Sequence, residues 1–149
     1  MASTPLKTWR EWKSVYYPTT AKQAANKGPL QATLHALTKW RGLAPGILRR
    51  HGLVVQHGSL YERGHRLFNV DTDTCALCAL YYLKHDRCDG CPLFLVRGGV
   101  PCSGERDDEA RSPFNAWLAE GTPRPMIKWL ERAVDYEIRR SDGGRPVTS

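Results

Sequence analysis

Apolar residues recur at helical intervals along most of this chain and take on a strand-like pattern over one short stretch. Leu6, Trp9, Trp12, Val15 and Tyr16 form one stripe over residues 6–17, with Lys7, Arg10 and Lys13 largely off it, and Pro18 stops that helix. Thr19 and Thr20 cap a short segment, 21–26, which Lys27-Gly28-Pro29 ends. Leu30, Leu34, Leu37 and Trp40 predict a longer helix over 30–41, with Gly42 at its C-terminus. Residues 47–51 read as a short helix closed by Gly52. The pattern then changes. Residues 53–56 and 66–70 are strand-like runs, and Gly58 and Gly64 between them suit a small hairpin.

Asp71-Thr72-Asp73-Thr74 is rich in N-cap residues and opens a helix over 75–84. Residues 86–112 hold glycines, prolines and charges and read as loop. A short helix over 113–119 precedes a last one over 125–139. In that last helix Ile127, Leu130, Val134 and Ile138 make the buried stripe, with Met126 and Ala133 beside it. Residues 141–149 read as a flexible tail. The sum is a mostly helical α+β fold in a single domain over 1–140. Its parts are a basic stretch (1–70), a cysteine-bearing stretch (71–112) and C-terminal helices (113–140).

Composition adds a size limit and a charge asymmetry. At 149 residues the chain is long enough for one real core. The net charge is +7, but residues 1–70 hold eleven Lys/Arg against two acids, Glu11 and Glu62, and residues 71–149 hold eleven against thirteen. A basic half joined to a near-neutral half points to one charged contact face, with nucleic acid or an acidic protein as partner. The best apolar stretch, 72–83, is too short to span a bilayer, so no membrane partner is expected. The first nine residues carry no apolar export core, which makes the cytosol the expected compartment and reduced thiols the expected state.

The most specific chemistry lies in the cysteines. Cys75-Ala-Leu-Cys78 and Cys88-Asp-Gly-Cys91 are two Cys-x-x-Cys pairs separated by nine residues, and Cys102 follows after ten more. Five is an odd number for a closed disulfide set, and paired spacing of this kind brings four thiolates around one metal ion. Zinc prefers such a tetrahedral set, and a site closed by four protein ligands is structural. Cys75, Cys78, Cys88 and Cys91 are the expected ligands, with Cys102 or His85 as alternates. Cys75 and Cys78 would lie one turn apart at a helix start, where the positive end favours thiolates. Gly90 allows the tight turn of the second pair.

Catalytic motifs are missing. There is no His-Glu-x-x-His, no phosphate loop and no dinucleotide fingerprint, and Pro101-Cys102 lacks the second cysteine that a zinc deaminase needs. The five histidines are scattered, although His57 and His65 approach each other if the hairpin forms as expected. Lys39, Arg41, Arg49, Arg50, Arg63 and Arg66 fall close together, with Trp40, His51, Tyr61 and Phe68 among them. Cations neutralise phosphates and exposed aromatics stack on bases, but Trp40 continues the apolar stripe of its helix and is more readily core.

Leu34-His35, Lys39-Trp40, Gly42-Leu43, the two cysteine pairs with Pro92-Leu93, Cys102 and Ser112-Pro113 together resemble small cysteine-rich proteins encoded by bacteriophages, over about residues 30–113. The resemblance implies a phage or prophage setting, hence the cytosol of a bacterial host. It implies no activity and brings no catalytic residues, and it leaves open inhibition of a host protein or defence complex, or a place in the virion. The expectation is a non-catalytic, zinc-stapled accessory protein whose basic face binds nucleic acid, or alternatively an acidic host protein.

Overall fold

The computed structural model describes residues 9–70, 74–82 and 90–143. At its centre is α3 (Pro29–Arg41), entered through Pro29, whose missing N–H costs nothing in a first turn. Burial on α3 goes well beyond one stripe: Ala32, Thr33, His35, Ala36, Leu37, Lys39 and Trp40 are all inside. Four helices cover it, namely α1 (Trp9–Tyr16), α2 (Ala21–Ala25), α5 (Pro92–Val96) and α7 (Arg124–Gly143). Two more, α4 (Pro45–Arg50) and α6 (Pro113–Glu120), complete the α-helical set among the described residues, with a π-helical turn at Cys78–Tyr82.

Local chemistry explains the boundaries. Thr20 and Gln23 form a reciprocal capping box at the start of α2. Ser112 caps α6 by accepting from the Asn115 N–H at 3.2 Å. Gly42 does end α3, but in right-handed conformation, so its glycine is not required by the backbone. Space requires it: a Cβ there would lie 2.5 Å from Cγ of Tyr16. The indole N–H of fully buried Trp12 donates to the Gly42 carbonyl at 2.8 Å, which locks α1 across the end of α3.

The β region is a three-stranded antiparallel sheet, β1 (Val54–Gln56), β2 (Ser59–Glu62) and β3 (His65–Asn69), in sequential order. The expected hairpin lacked the middle strand, because β2 is only four residues between two glycine turns. His57-Gly58 and Arg63-Gly64 are two-residue turns with positive φ at every position, the geometry that matches strand twist. Leu60 and Phe68 pair on the inner face, and Phe68 packs among Trp9, Trp12 and Tyr17. The extra strand also corrects the histidine expectation: His57 lies in the first turn and His65 just after the second, at opposite ends of β2.

Three further expectations are corrected. Val15, placed on the buried stripe of α1, is 52% exposed. On α7 the buried line is Met126, Leu130, Ala133 and Glu137, while Ile138 is 46% exposed. The stripe is rotated because the Glu137 side chain turns inward and its carboxylate takes the Arg140 guanidinium at 2.7 Å. The expected loop over 86–112 contains α5, started by Cys91-Pro92. Leu6 lies outside the described residues.

Leu130 is 1% exposed between α7 and the central helix. Leu130→Ala is expected to cost roughly 2–5 kcal/mol in chemical denaturation, the range for a buried leucine that leaves a cavity. Ile138→Ala, on the exposed side of the same helix, should change the midpoint little.

Candidate metal centre and basic face

Four of the five cysteines are within the described residues, and all four line one small recess of about 30 Å³. It adjoins a cavity of about 300 Å³, walled by Trp40, Leu93, Phe114, Met126 and Leu130 and reached by Cys75, Cys78 and Cys102. Cys75 and Cys78 meet across the start of the π-helical turn, where the Cys78 backbone N–H donates to Cys75 Sγ at 3.5 Å. The Cys78 thiol hydrogen bond lowers the Cys75 thiol, against the cost of burial and with help from the nearby Lys39 charge; Cys78 is raised in turn. One thiolate of the pair is therefore favoured. Cys91 is the buried N-cap of α5, and Cys102 sits in the loop that follows.

The donor set fits a thiophilic ion, since soft thiolates held by N–H···S contacts are what zinc takes. Among the described residues no three His, Cys, Asp or Glu side chains are grouped closely enough to hold an ion as they stand. Cys88 and His85 lie outside the described residues, so the structure places three of the four expected ligands and the alternate Cys102 on one recess.

Two buried cations hold backbone next to Cys75 and Cys102, and neither was evident as such from the sequence. Lys39, expected on the contact face, is 1% exposed. Its ammonium donates to the Thr74 carbonyl at 3.2 Å and to Thr74 Oγ1 at 3.3 Å, and lies 5.6 Å from the Trp40 ring centre. Thr74 Oγ1 in turn donates to the Asn69 carbonyl at the end of β3. Lys39 thus fixes the residue immediately before Cys75.

The second cation is Arg97, whose side chain is fully buried. Its Nη1 and Nη2 grip Glu109 at 2.8 and 3.1 Å. Nε donates to the Val100 carbonyl at 3.2 Å and Nη2 also donates to the Gly104 carbonyl. Glu109 further accepts from the Trp129 indole and the Arg106 backbone N–H, each at 3.2 Å. Burial alone would raise the Glu109 carboxyl, but the Arg97 and Arg106 hydrogen bonds outweigh it and hold the carboxyl below its ordinary value. A lone arginine before Gly98-Gly99 gave no sequence signal for this knot; its acceptors are mostly backbone carbonyls.

The basic face divides sharply. Arg41 pairs with Glu131 at 3.0 Å. Arg49, Arg50, Arg63 and Arg66 are exposed and make no ion pair with any described residue. Strand register sets Arg63 and Arg66 at the end of the sheet that α4 leads into. Val54 follows closely after α4 and pairs with Tyr61, which pairs with Arg66, and the Arg63 turn lies at that same end. Of the interleaved aromatics, Trp40, His51 and Phe68 are buried, which leaves half-buried Tyr61. Trp40 meets Trp117 edge-on at 5.1 Å and is core.

Comparison with known proteins gives no match to any family model, curated protein or solved structure. No helix among the described residues is long and apolar enough to cross a membrane.

Glu109→Gln leaves Arg97 charged and unpaired inside the protein. It is expected to cost roughly 3–5 kcal/mol at neutral pH, as breaking a buried pair does. A carboxyl held low in the native state stabilises above its unfolded-state value near 4.5, and the contribution is lost as pH falls through the native value. The difference between wild type and variant in denaturant midpoint should therefore shrink on acidification.

Proposed function

We propose that this chain is a non-catalytic accessory protein that holds nucleic acid on the α4–sheet end, with a zinc ion clamping its cysteine-bearing half. The observation that carries the reading is the set of exposed arginines at 49 and 50 on α4 and at 63 and 66 on the sheet, which have no carboxylate partner among the described residues. Elsewhere Arg41, Arg97, Arg106, Arg111, Arg139 and Arg140 each have an acidic partner, while Arg10, Arg124 and Arg132 are exposed without one among the described residues but lie scattered on α1 and α7. Unpaired guanidinium groups grouped in this way suit a polyanion, because each can bridge a phosphate and release a counterion. Zinc would supply no chemistry beyond tying the cysteine segments together.

Two measurements test this. Protein purified without added metal is expected to contain about one equivalent of zinc. A fully folded chain free of metal, or one carrying iron with acid-labile sulfide, would replace the zinc reading. For the face, Arg49→Glu with Arg50→Glu should weaken binding to a short oligonucleotide about tenfold or more. It should also reduce the slope of log affinity against log salt by about 2, with zinc content and melting temperature unchanged. Unchanged affinity in the folded double variant would move the surface elsewhere. Capture of an acidic host protein that survives nuclease, with no oligonucleotide binding by the pure chain, would replace nucleic acid as the partner.

A further inference from the structure

We infer that Cys102, the cysteine outside both pairs, is a ligand of the metal and is delivered to it by Arg97; this rests on the zinc reading above. Cys102 shares one recess with Cys75, Cys78 and Cys91, so four cysteines from three separate segments line a common space, which they would close around an ion by a further approach of their side chains. Its own loop has no helix or strand between the end of α5 at Val96 and the start of α6 at Pro113. A loop of that kind is ordinarily loose. Here the backbone is fixed on both sides of the cysteine: Arg97 donates to the carbonyls of Val100 and Gly104, two residues before and two after it. The Cys102 carbonyl itself accepts from the Phe114 N–H at 3.2 Å.

Burying a guanidinium to do this is costly, and a buried ion pair is weak evidence for stability, because apolar packing serves at least as well. What the arginine does that an apolar side chain does not is hold several carbonyls at set positions, which is how protein groups behind a metal site aim its ligands. Lys39 does the same at the other side of the cavity, holding Thr74 next to Cys75. Two buried cations therefore aim two cysteine-bearing segments at one recess. Arg97 is a positioning residue and Cys102 the donor.

The test uses the full-length chain with Co²⁺ as probe, because its thiolate absorption reports how many sulfurs bind. Wild type should show a tetrahedral four-thiolate spectrum. Cys102→Ser should lose about a quarter of the thiolate absorption per bound cobalt, one sulfur of four, together with zinc affinity. If that variant does not fold, Cys102→His keeps a donor and should give a three-sulfur, one-nitrogen spectrum. Arg97→Lys should retain four thiolates but shift the ligand-field bands and weaken zinc roughly 10–100-fold, as loss of a supporting partner does. An unchanged four-thiolate spectrum in Cys102→Ser or Cys102→His overturns the assignment of Cys102. Unchanged bands and affinity in Arg97→Lys overturn the role of the arginine. A wild type with no thiolate band at all marks failure of the zinc reading itself, seen before any variant is compared.

Discussion

A helix buried on nearly every side must satisfy its polar side chains against its neighbours, and most of this fold follows from that constraint on α3. Thr33 donates its hydroxyl back to the Pro29 carbonyl at 2.7 Å within the helix. His35 donates Nε2–H to the Thr19 carbonyl at 2.6 Å, which pins the segment between α1 and α2. Burial lowers the His35 imidazole, with the Thr19 bond opposing and the Lys39 charge adding to it, so a neutral ring is favoured at that contact. Lys39 reaches Thr74. His35 and Lys39 therefore each fix the position of a different connecting segment. Orphaned, either of them would cost about 1–3 kcal/mol or more.

The charges fall into three classes by environment. Arg97 is wholly inside and spends its donors on a carboxylate and two carbonyls. Exposed pairs such as Arg111–Glu120 and Arg106–Asp108 add little, since screening and side-chain entropy offset most of their attraction. The unpaired arginines on α4 and the sheet form the third class. Self-repulsion among them works slightly against folding, which makes them hard to explain as stabilising features. A binding surface is the natural reading of charge that the fold itself does not use.

Legibility in the sequence followed the range of the determining interaction. α3, α6 and α7 were readable because capping residues, prolines and apolar spacing act within one or two turns. The spacing of the cysteine pairs announced an expected metal site, of which the described residues place Cys75, Cys78 and Cys91 on one recess without grouping three of them closely enough to hold an ion. What escaped was set by contacts between residues far apart in the chain. β2 is a strand only because β1 and β3 flank it. Lys39 looks like a surface cation until Thr74, 35 residues later, is brought beside it. The α7 stripe slipped because apolar spacing favoured Ile138 over Glu137, and the inward turn of Glu137 depends on its Arg140 partner. Arg97 and Glu109 sit in a stretch with no periodicity at all, so no local pattern could announce the knot.

The two halves are held by different physics, and this bears on the proposed metal. The sheet end rests on direct apolar packing: Phe68 lies within 5.5 Å of the ring centres of Trp9 and Trp12 and within 4.7 Å of Tyr17. Residues 97–112 have no such inward aromatic set, and the cavity beside them is about 300 Å³. Polar clamps fix the backbone around it but bring little apolar burial. A tetrahedral ion would supply the missing cohesion, because in a site that does not exist in the unfolded chain the binding energy of the metal is folding energy. The exposed arginines at 49, 50, 63 and 66 lie outside the cysteine-bearing segments, so the proposed charge display and the proposed metal clamp can be separated by mutation.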